Sequence, residues 1–456
     1  MQLNRKLMLL IGIVMLFFAN VNAQVSNNAP ANAAPVQLSV QDAINYALSN
    51  QADIKTAKID ELIQLAKNKE VSGLALPNIS ANGQFQDNPV IQKQLIDASN
   101  FDPSIPKGTL VPIAFGLKYN MAGQVVMNQT LFDPSVLVAL QARKALEDMV
   151  KKNVTKTEVD VKSNVYQAYY SVLVTEKAVN IFTENIARLE KSLYETEQFY
   201  KNGLVEKLDV DRLRVQLTNL KTQVIGLQNT LVVNRAMLNF SIGMPIYNPV
   251  VLTDTLSMQA VKAQVEDTSN FNYQARPDYA YLESTKSVLE YDLKRYKLKG
   301  LPTLSLNVAG GASRASNNFD YFQSQMWYGY MYYGVNLNVP IFTGFQRKRQ
   351  VDQAALAIEK TDVNMEKLRL AIDLEQTQAG STFASNVKAL NAQEDNMQLA
   401  TDVYETTITK YREGVGSSTE MITAETGLLT AQNNYFDALY KAIVAKIAYL
   451  KAYGKL

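Results

Sequence analysis

The 456-residue chain contains no cysteine and no histidine. The first absence excludes disulfides, thiolate metal sites, thiol nucleophiles and an acyl-cysteine anchor; the second removes the usual general base and the commonest metal ligand. Most hydrolytic triads and zinc centres go with them. An excess of one charge is also missing, because 45 basic residues face 43 acidic ones. A chain so close to neutrality lacks the electrostatic footprint of a nucleic-acid binder. Long apolar runs are scarce. One, Leu7 to Ala19, follows Arg5 and Lys6 and is succeeded by Val21-Asn22-Ala23 before Gln24. Residues 1–23 therefore read as a secretory signal peptide, since the run is short of the ~20 residues that span a bilayer. Beyond it, a mature chain that crosses a membrane has to do so as a closed β-barrel.

What the sequence does hold is a repeat of itself. At an offset of 225, Asp53 matches Asp278, Leu76-Pro77 matches Leu301-Pro302 and Ser80 matches Ser305. At 210, Asn128 and Phe132 match Asn338 and Phe342; at 211, Tyr200 matches Tyr411, Gly203 matches Gly414 and Gly243 matches Gly454. The drop in offset marks about 15 extra residues in the first half, rich in proline (Pro89, Pro103, Pro106, Pro112) and read as a loop.

The first repeat, 24–243, is expected to run as helix 40–74, strands about 76–86 and 115–132, long helix 134–201, tip turn 202–208 and helix 209–242. The second, 277–456, is expected as helix 278–299, strands about 301–312 and 328–342, long helix 345–412, tip turn 413–417 and helix 418–453, with 244–276 as an equatorial linker. Both long helices carry heptads. Val165, Val172, Val179, Ile186, Leu193 and Tyr200 recur at seven, with Val161, Ala168, Thr175, Phe182 and Leu189 at the alternate positions, and Phe383, Leu390, Met397, Tyr404 and Tyr411 do the same in the second half, which is a coiled-coil pattern. At 1.5 Å per residue each long helix extends ~100 Å, more than a globule of this size needs.

The strands alternate with a period of two. Tyr333, Val335, Leu337, Val339 and Ile341 take one face and Asn336 and Asn338 the other; Leu304, Leu306 and Val308 alternate with Ser305 and Asn307. Such alternation suits a barrel with lipid outside and water inside, and equally a soluble sandwich. The aromatic cluster Tyr321, Phe322, Trp327, Tyr328, Tyr330, Tyr332 and Tyr333, placed like a membrane-interface girdle, favours the barrel. Four strands cannot close one, since the smallest transmembrane barrels have eight. The chain must therefore oligomerise: two copies would supply eight strands and a filled interior, three would supply twelve and a passage.

Duplicated halves, Leu-Pro strand starts, Arg276-Pro277-Asp278 heading a helix, and Tyr-x-x-Gly before an acidic helix start together resemble the TolC-like outer-membrane efflux proteins over essentially the whole mature chain. The resemblance implies a mainly α protein with a transmembrane β-barrel: a homotrimer whose twelve strands continue into a periplasmic α-helical barrel. It implies an exit duct in the outer membrane of a Gram-negative bacterium, serving efflux or type I secretion. The duct would dock onto a periplasmic adaptor and an inner-membrane transporter of RND, ABC or MFS class. It also implies a gate at the helical tips: Tyr411 matches a gate tyrosine, Glu420 an acidic ring position and Asp209 a partner acid, with Tyr200, Gly203 and Gly414 shaping the turns. Gly416 stands where a gate arginine is expected and Thr423 where a second ring acid is expected, so closure by packing and neutral hydrogen bonds is anticipated.

Plainer roles exist for the same residues. Ser417 to Glu420 is a capping-box pattern, Asp209 can cap its helix, both tyrosines continue the heptad seam, and the two glycines suit helix ends. Gly310-Gly311 lacks the Gly-Lys-Ser/Thr of a phosphate loop, and Arg347-Lys348-Arg349 follows a strand as an interface or solvated helix face would. No set of side chains is framed for catalysis, so neither an enzyme nor a cofactor is expected. The competing class is a periplasmic coiled-coil adaptor or scaffold without a channel, which would share the heptads but need no alternating strands.

Overall fold

The computed structural model describes residues 35–263, 271–321 and 326–456. The leader at 1–23 and Phe322 lie outside the described residues. The elements, in chain order, are β1 Val36–Leu38, α1 Val40–Asn50, α2 Ala52–Gly73, β2 Asn78–Asp87, β3 Lys93–Asp97, β4 Leu110–Ala114, β5 Tyr119–Phe132, α3 Pro134–Lys201 and α4 Lys207–Ile242. They continue with β6 Val250–Leu252, α5 Met258–Lys262, α6 Pro277–Leu298, β7 Thr303–Ser316, β8 Tyr328–Asn338, α7 Gln346–Arg412 and α8 Ser418–Ala452.

Local chemistry sets the helix ends. Asp133 caps α3 by accepting from the Ser135 amide, and Pro134 occupies the first turn, where a missing amide hydrogen costs nothing. The helix expected over 40–74 is two helices, because the Gln51 side chain turns back to cap Asp53 and Ile54 and interrupts the first ladder. The inserted loop of the first half contains structure of its own, the antiparallel hairpin β3–β4. Strand β5 begins at Tyr119 rather than 115, and β8 ends at Asn338 rather than 342.

The principal sheet is antiparallel, in the order β2–β5–β7–β8. Its register decides which residues share a face, because directly paired residues point the same way. Ile79 pairs Met127, Val125 pairs Gly310, Val308 pairs Tyr333 and Leu306 pairs Val335, which makes one face apolar across all four strands. Asn82 pairs Gln124, Asn128 pairs Asn307 and Ser305 pairs Asn336 on the other face, where the Asn307 amide donates to Asn128 at 2.5 Å. Both edge strands, β2 and β8, are exposed along their whole length and unpaired on their outer side among the described residues.

The helices form a separate core. On α3, Val165 and Val172 of the expected row and Phe182 and Leu189 of its alternate positions are buried; Ala178, Asn185, Ser192 and Thr196 join them in a four-three spacing, whereas Val179, Ile186 and Leu193 are only half-buried. On α8 the matching seam is Met421, Glu425, Leu428, Gln432, Tyr435, Leu439 and Ala442. Residues of α7 close it with Leu390, Tyr404, Ile408 and Tyr411. Among the described residues no helix is long and apolar enough to cross a membrane.

A belt ties the middle together. Strand β1 pairs in parallel with β6, and Asp254 accepts from the Val40 amide at 2.7 Å and the Tyr169 hydroxyl at 2.9 Å. Arg276, 5% exposed, bonds Asp278, Glu375 and the carbonyl of Ala452. Gly243 ends α4 at φ 76°, and a Cβ there would lie 2.8 Å from the Asn50 carbonyl oxygen. A left-handed alanine costs roughly 1–2 kcal/mol before any overlap. Gly243→Ala is therefore expected to cost roughly 2–4 kcal/mol, read as a lowered thermal midpoint of the detergent-solubilised protein by circular dichroism.

Candidate functional site

At the two tips the backbone follows one plan. Gly203 and Gly414 end α3 and α7 with φ of 74° and 75°, which lets the Leu204 amide reach the Phe199 carbonyl and the Val415 amide reach that of Lys410. These are helix-ending bonds that close the last turn. Gly416 sits close beneath the second turn: a Cβ there would lie 3.0 Å from the Tyr411 nitrogen, tighter than ordinary contact. The same glycine stands where the resemblance places an arginine, so no guanidinium is available for a lock at this position.

The predicted gate residues separate into two sets. Tyr411 is buried, its hydroxyl 3.0 Å from Thr196 Oγ1 and its ring packed edge-on against Phe199. Burial pushes its pKa above the usual phenol value, with Asp209 adding and Thr196 opposing, so the hydroxyl is a neutral hydrogen-bonding group. Asp209 does not touch Tyr411. One carboxylate oxygen accepts from the Ser418 hydroxyl across the hairpins and the other from the Glu206 amide of its own helix start, while Arg212 approaches to 3.7 Å. Tyr200 is exposed, and so are Glu420 and Thr423, which share a groove of about 600 Å³ with Thr407, Lys410 and Thr419 on the face of α7 and α8. The Glu420 amide donates to Ser417, so half of the expected capping box is present.

Sequence reasoning missed most of the partners. Thr196 and Ser418 complete the two cross-hairpin bonds, and Arg212–Thr419 at 3.0 Å and Arg412–Glu195 at 2.9 Å add a polar rim. Further along the seam, Asn185 donates to Gln432 at 2.6 Å and accepts from Arg188, whose guanidinium lies 5.7 Å from the centre of the Tyr404 ring. Glu425 sits beside them. Thr196 had a legible signal, being seven residues after Leu189 in a buried row, whereas Ser418 lies on the other hairpin and is brought in only by the fold.

The aromatic residues at the far end of the sheet also divide. Tyr328, Tyr330 and Tyr332 pair with Ser313, Gly311 and Ala309, and lie on the same face as Asn336 and Asn338. The Tyr330 hydroxyl reaches past Gly311 to Gln124 at 2.9 Å and its ring stacks on Tyr332. Tyr333 lies on the apolar face. The compact aromatic group on that side is Phe85, Tyr119, Phe319 and Tyr321, with Trp327 against Tyr321 and the Arg314–Asp320 ion pair beside them.

Comparison with known proteins agrees with this geometry. Over 93% of this chain and 95% of the other, the fold superposes on the crystal structure of CusC, a protein whose folding and transmembrane channel formation are accompanied by conformational changes, with a TM-score of 0.72 and 16% identity. It also superposes on the outer membrane protein VceC of Vibrio cholerae, covering 91% and 96%, with a TM-score of 0.68 and 14% identity. In sequence the chain is 20% identical over 340 residues to outer membrane protein TolC of Vibrio cholerae serotype O1, spanning 74% of this chain and 77% of that protein. TolC of Salmonella enteritidis is 23% identical over 353 residues, 72% of this chain and 68% of its own. The model of the outer membrane efflux protein family matches residues 298–455. The C-terminal part of the chain is thus similar to outer membrane efflux proteins, and the fold over nearly its whole length is that of outer membrane channel proteins. Such proteins are conduits rather than enzymes, and they reside in the outer membrane with a large periplasmic part.

The tip contacts can be weighed by substitution. Thr196→Val leaves the buried Tyr411 hydroxyl without its partner and is expected to cost about 1–3 kcal/mol. Adding Tyr411→Phe removes the stranded group and should recover most of that loss. A double-mutant cycle on thermal midpoints reads the coupling; strictly additive effects would separate the two side chains energetically.

Proposed function

We propose that three copies of this chain assemble into an outer-membrane exit duct, twelve strands closing a barrel that opens into a tunnel of helices. The observation that carries this reading is the sheet itself: four strands, apolar on one side and polar on the other, with both edges unpaired within the chain. Unpaired strand edges in lipid are prohibitively costly, so neighbouring copies supply the missing partners. The Ile79–Met127 face meets lipid and the Asn128–Asn307 face meets water. On this orientation Tyr328, Tyr330 and Tyr332 line the inner wall, and the interfacial girdle is formed by Tyr333, Trp327 and the cluster around Phe85 and Tyr321.

The tips close the duct. Tyr411–Thr196 and Asp209–Ser418 hold the two hairpins of one chain together by neutral and charge-assisted hydrogen bonds, in place of a salt bridge at Gly416. Glu420, exposed beside Thr423, forms an acidic ring if symmetry brings its groove to the axis. Flow is passive, driven by an inner-membrane transporter and joined through a periplasmic adaptor, for which the exposed Leu204 and Val415 at the tip turns are apolar footholds. A water-filled passage has no pocket from which cargo could be named.

Planar-bilayer recording tests the duct: purified protein should give discrete conductance steps and migrate as a heat-modifiable oligomer in a denaturing gel. A monomer that stays soluble without detergent and carries no current would instead make the chain a periplasmic scaffold. For the gate, Tyr411→Phe with Asp209→Ala removes the Tyr411–Thr196 and Asp209–Ser418 bonds between hairpins. At about 1 kcal/mol or less each, the pair should shift the open-to-closed ratio by about tenfold and raise basal current; unchanged current would assign both residues to packing. Glu420→Gln should weaken block by divalent cations, and identical block would remove Glu420 from the lumen.

A further inference from the structure

Glu425 is a buried ionisable group that none of the roles above uses. It lies on α8 between Met421 and Leu428, 1% exposed, and neither of its carboxyl oxygens has a hydrogen-bond partner. Water-free surroundings penalise the charged form of such a group far more than the neutral one. Three helices face it. From α3 come Arg188, already bonded to Asn185, and Ser192; from α7 comes Tyr404, whose hydroxyl lies toward both Ser192 and Glu425. The fourth helix, α4, meets α8 through Asp209, Arg212, Gln216 and Gln223, which are engaged by Ser418, Thr419, Thr426 and Asn433. Burial raises the pKa of Glu425, and the opposing pulls of Tyr404 and then Arg188 are smaller.

The position gives this chemistry a lever. Glu425 sits in the seam that joins the α7–α8 hairpin to α3, between the Asn185–Gln432 layer and the Thr196–Tyr411 layer next to the tip turns. If α8 swings away, the carboxyl reaches water and can ionise at no cost; while α8 is seated, ionisation places an unpartnered charge in the core. We propose that Glu425 is a proton-dependent latch between the hairpins, holding α8 in its seam while the carboxyl is protonated and favouring its withdrawal once the proton is lost. The latch deepens the reading of the tips as a gate, and only its consequence for flow rests on that reading.

The sign is fixed by linkage. A carboxyl whose pKa is raised in the packed state carries no penalty below its ordinary value, and the penalty grows as pH climbs from there to the raised value. Packing of α8 is therefore tightest in acid and loosens toward neutral pH. Hydrogen exchange of the full-length protein in detergent reads this directly, with the intrinsic pH dependence of exchange divided out. Protection of peptides within 418–432 should fall by about tenfold between about pH 5 and about pH 8. Glu425→Gln, which keeps the shape without the charge, should hold the acid-level protection throughout. The exposed Asp437→Asn on the same helix should retain the native response. Protection that stays constant in the native protein, or a Glu425→Gln variant that follows it, overturns the latch. If the exchange pattern appears while bilayer current is the same at every pH, the latch stands and the placing of the gate at the tips falls.

Discussion

Unpaired backbone governs this molecule. In the four-stranded sheet, β5 and β7 are satisfied on both sides, while β2 and β8 each present an outer row of amides and carbonyls that no other strand among the described residues pairs with. Water can solvate such an edge, but hydrocarbon cannot. A sheet with an apolar Ile79–Val125–Val308–Val335 face would need further strands in an apolar medium, and the proposed oligomer, closure and passage rest on that need. The length of the flanking helices fits the same proposal, since a globule of this size does not need it.

The helices are held by a seam of mixed character. Apolar Phe182, Leu189, Leu390, Leu428 and Leu439 are interleaved in it with polar Asn185, Ser192, Thr196, Glu425 and Gln432. Polar groups at core positions lower the gain from packing and confine the helices to the registers in which they find partners. A seam of this composition fixes which residues meet while keeping their separation inexpensive, which is what the proposed opening of the tips would require.

Much of the architecture was legible because periodicity survives without knowledge of the fold. The offsets of 225, 210 and 211, the heptads of α3 and α7, and the alternation in β7 and β8 each reflect a local spacing rule. Of the heptad rows, Val165, Val172, Phe182 and Leu189 are buried, but Val179, Ile186 and Leu193 give way to Ala178, Asn185 and Ser192, because hydrophobicity marks a stripe and not its centre line. The tyrosines of β8 do not share one side, since a period of two sends Tyr328, Tyr330 and Tyr332 to the face opposite Tyr333.

By itself, the order of residues determined the two long helices, the two-sided strands and the glycine turns at Gly203 and Gly414, because each depends on neighbours within a few positions. Only the tertiary structure decided that Tyr411 meets Thr196, that Asp209 meets Ser418 and that Glu425 is left without a partner in the seam. Those pairings join residues some two hundred positions apart, and the register of one long helix against another is set by the whole packed interface, which no local pattern encodes.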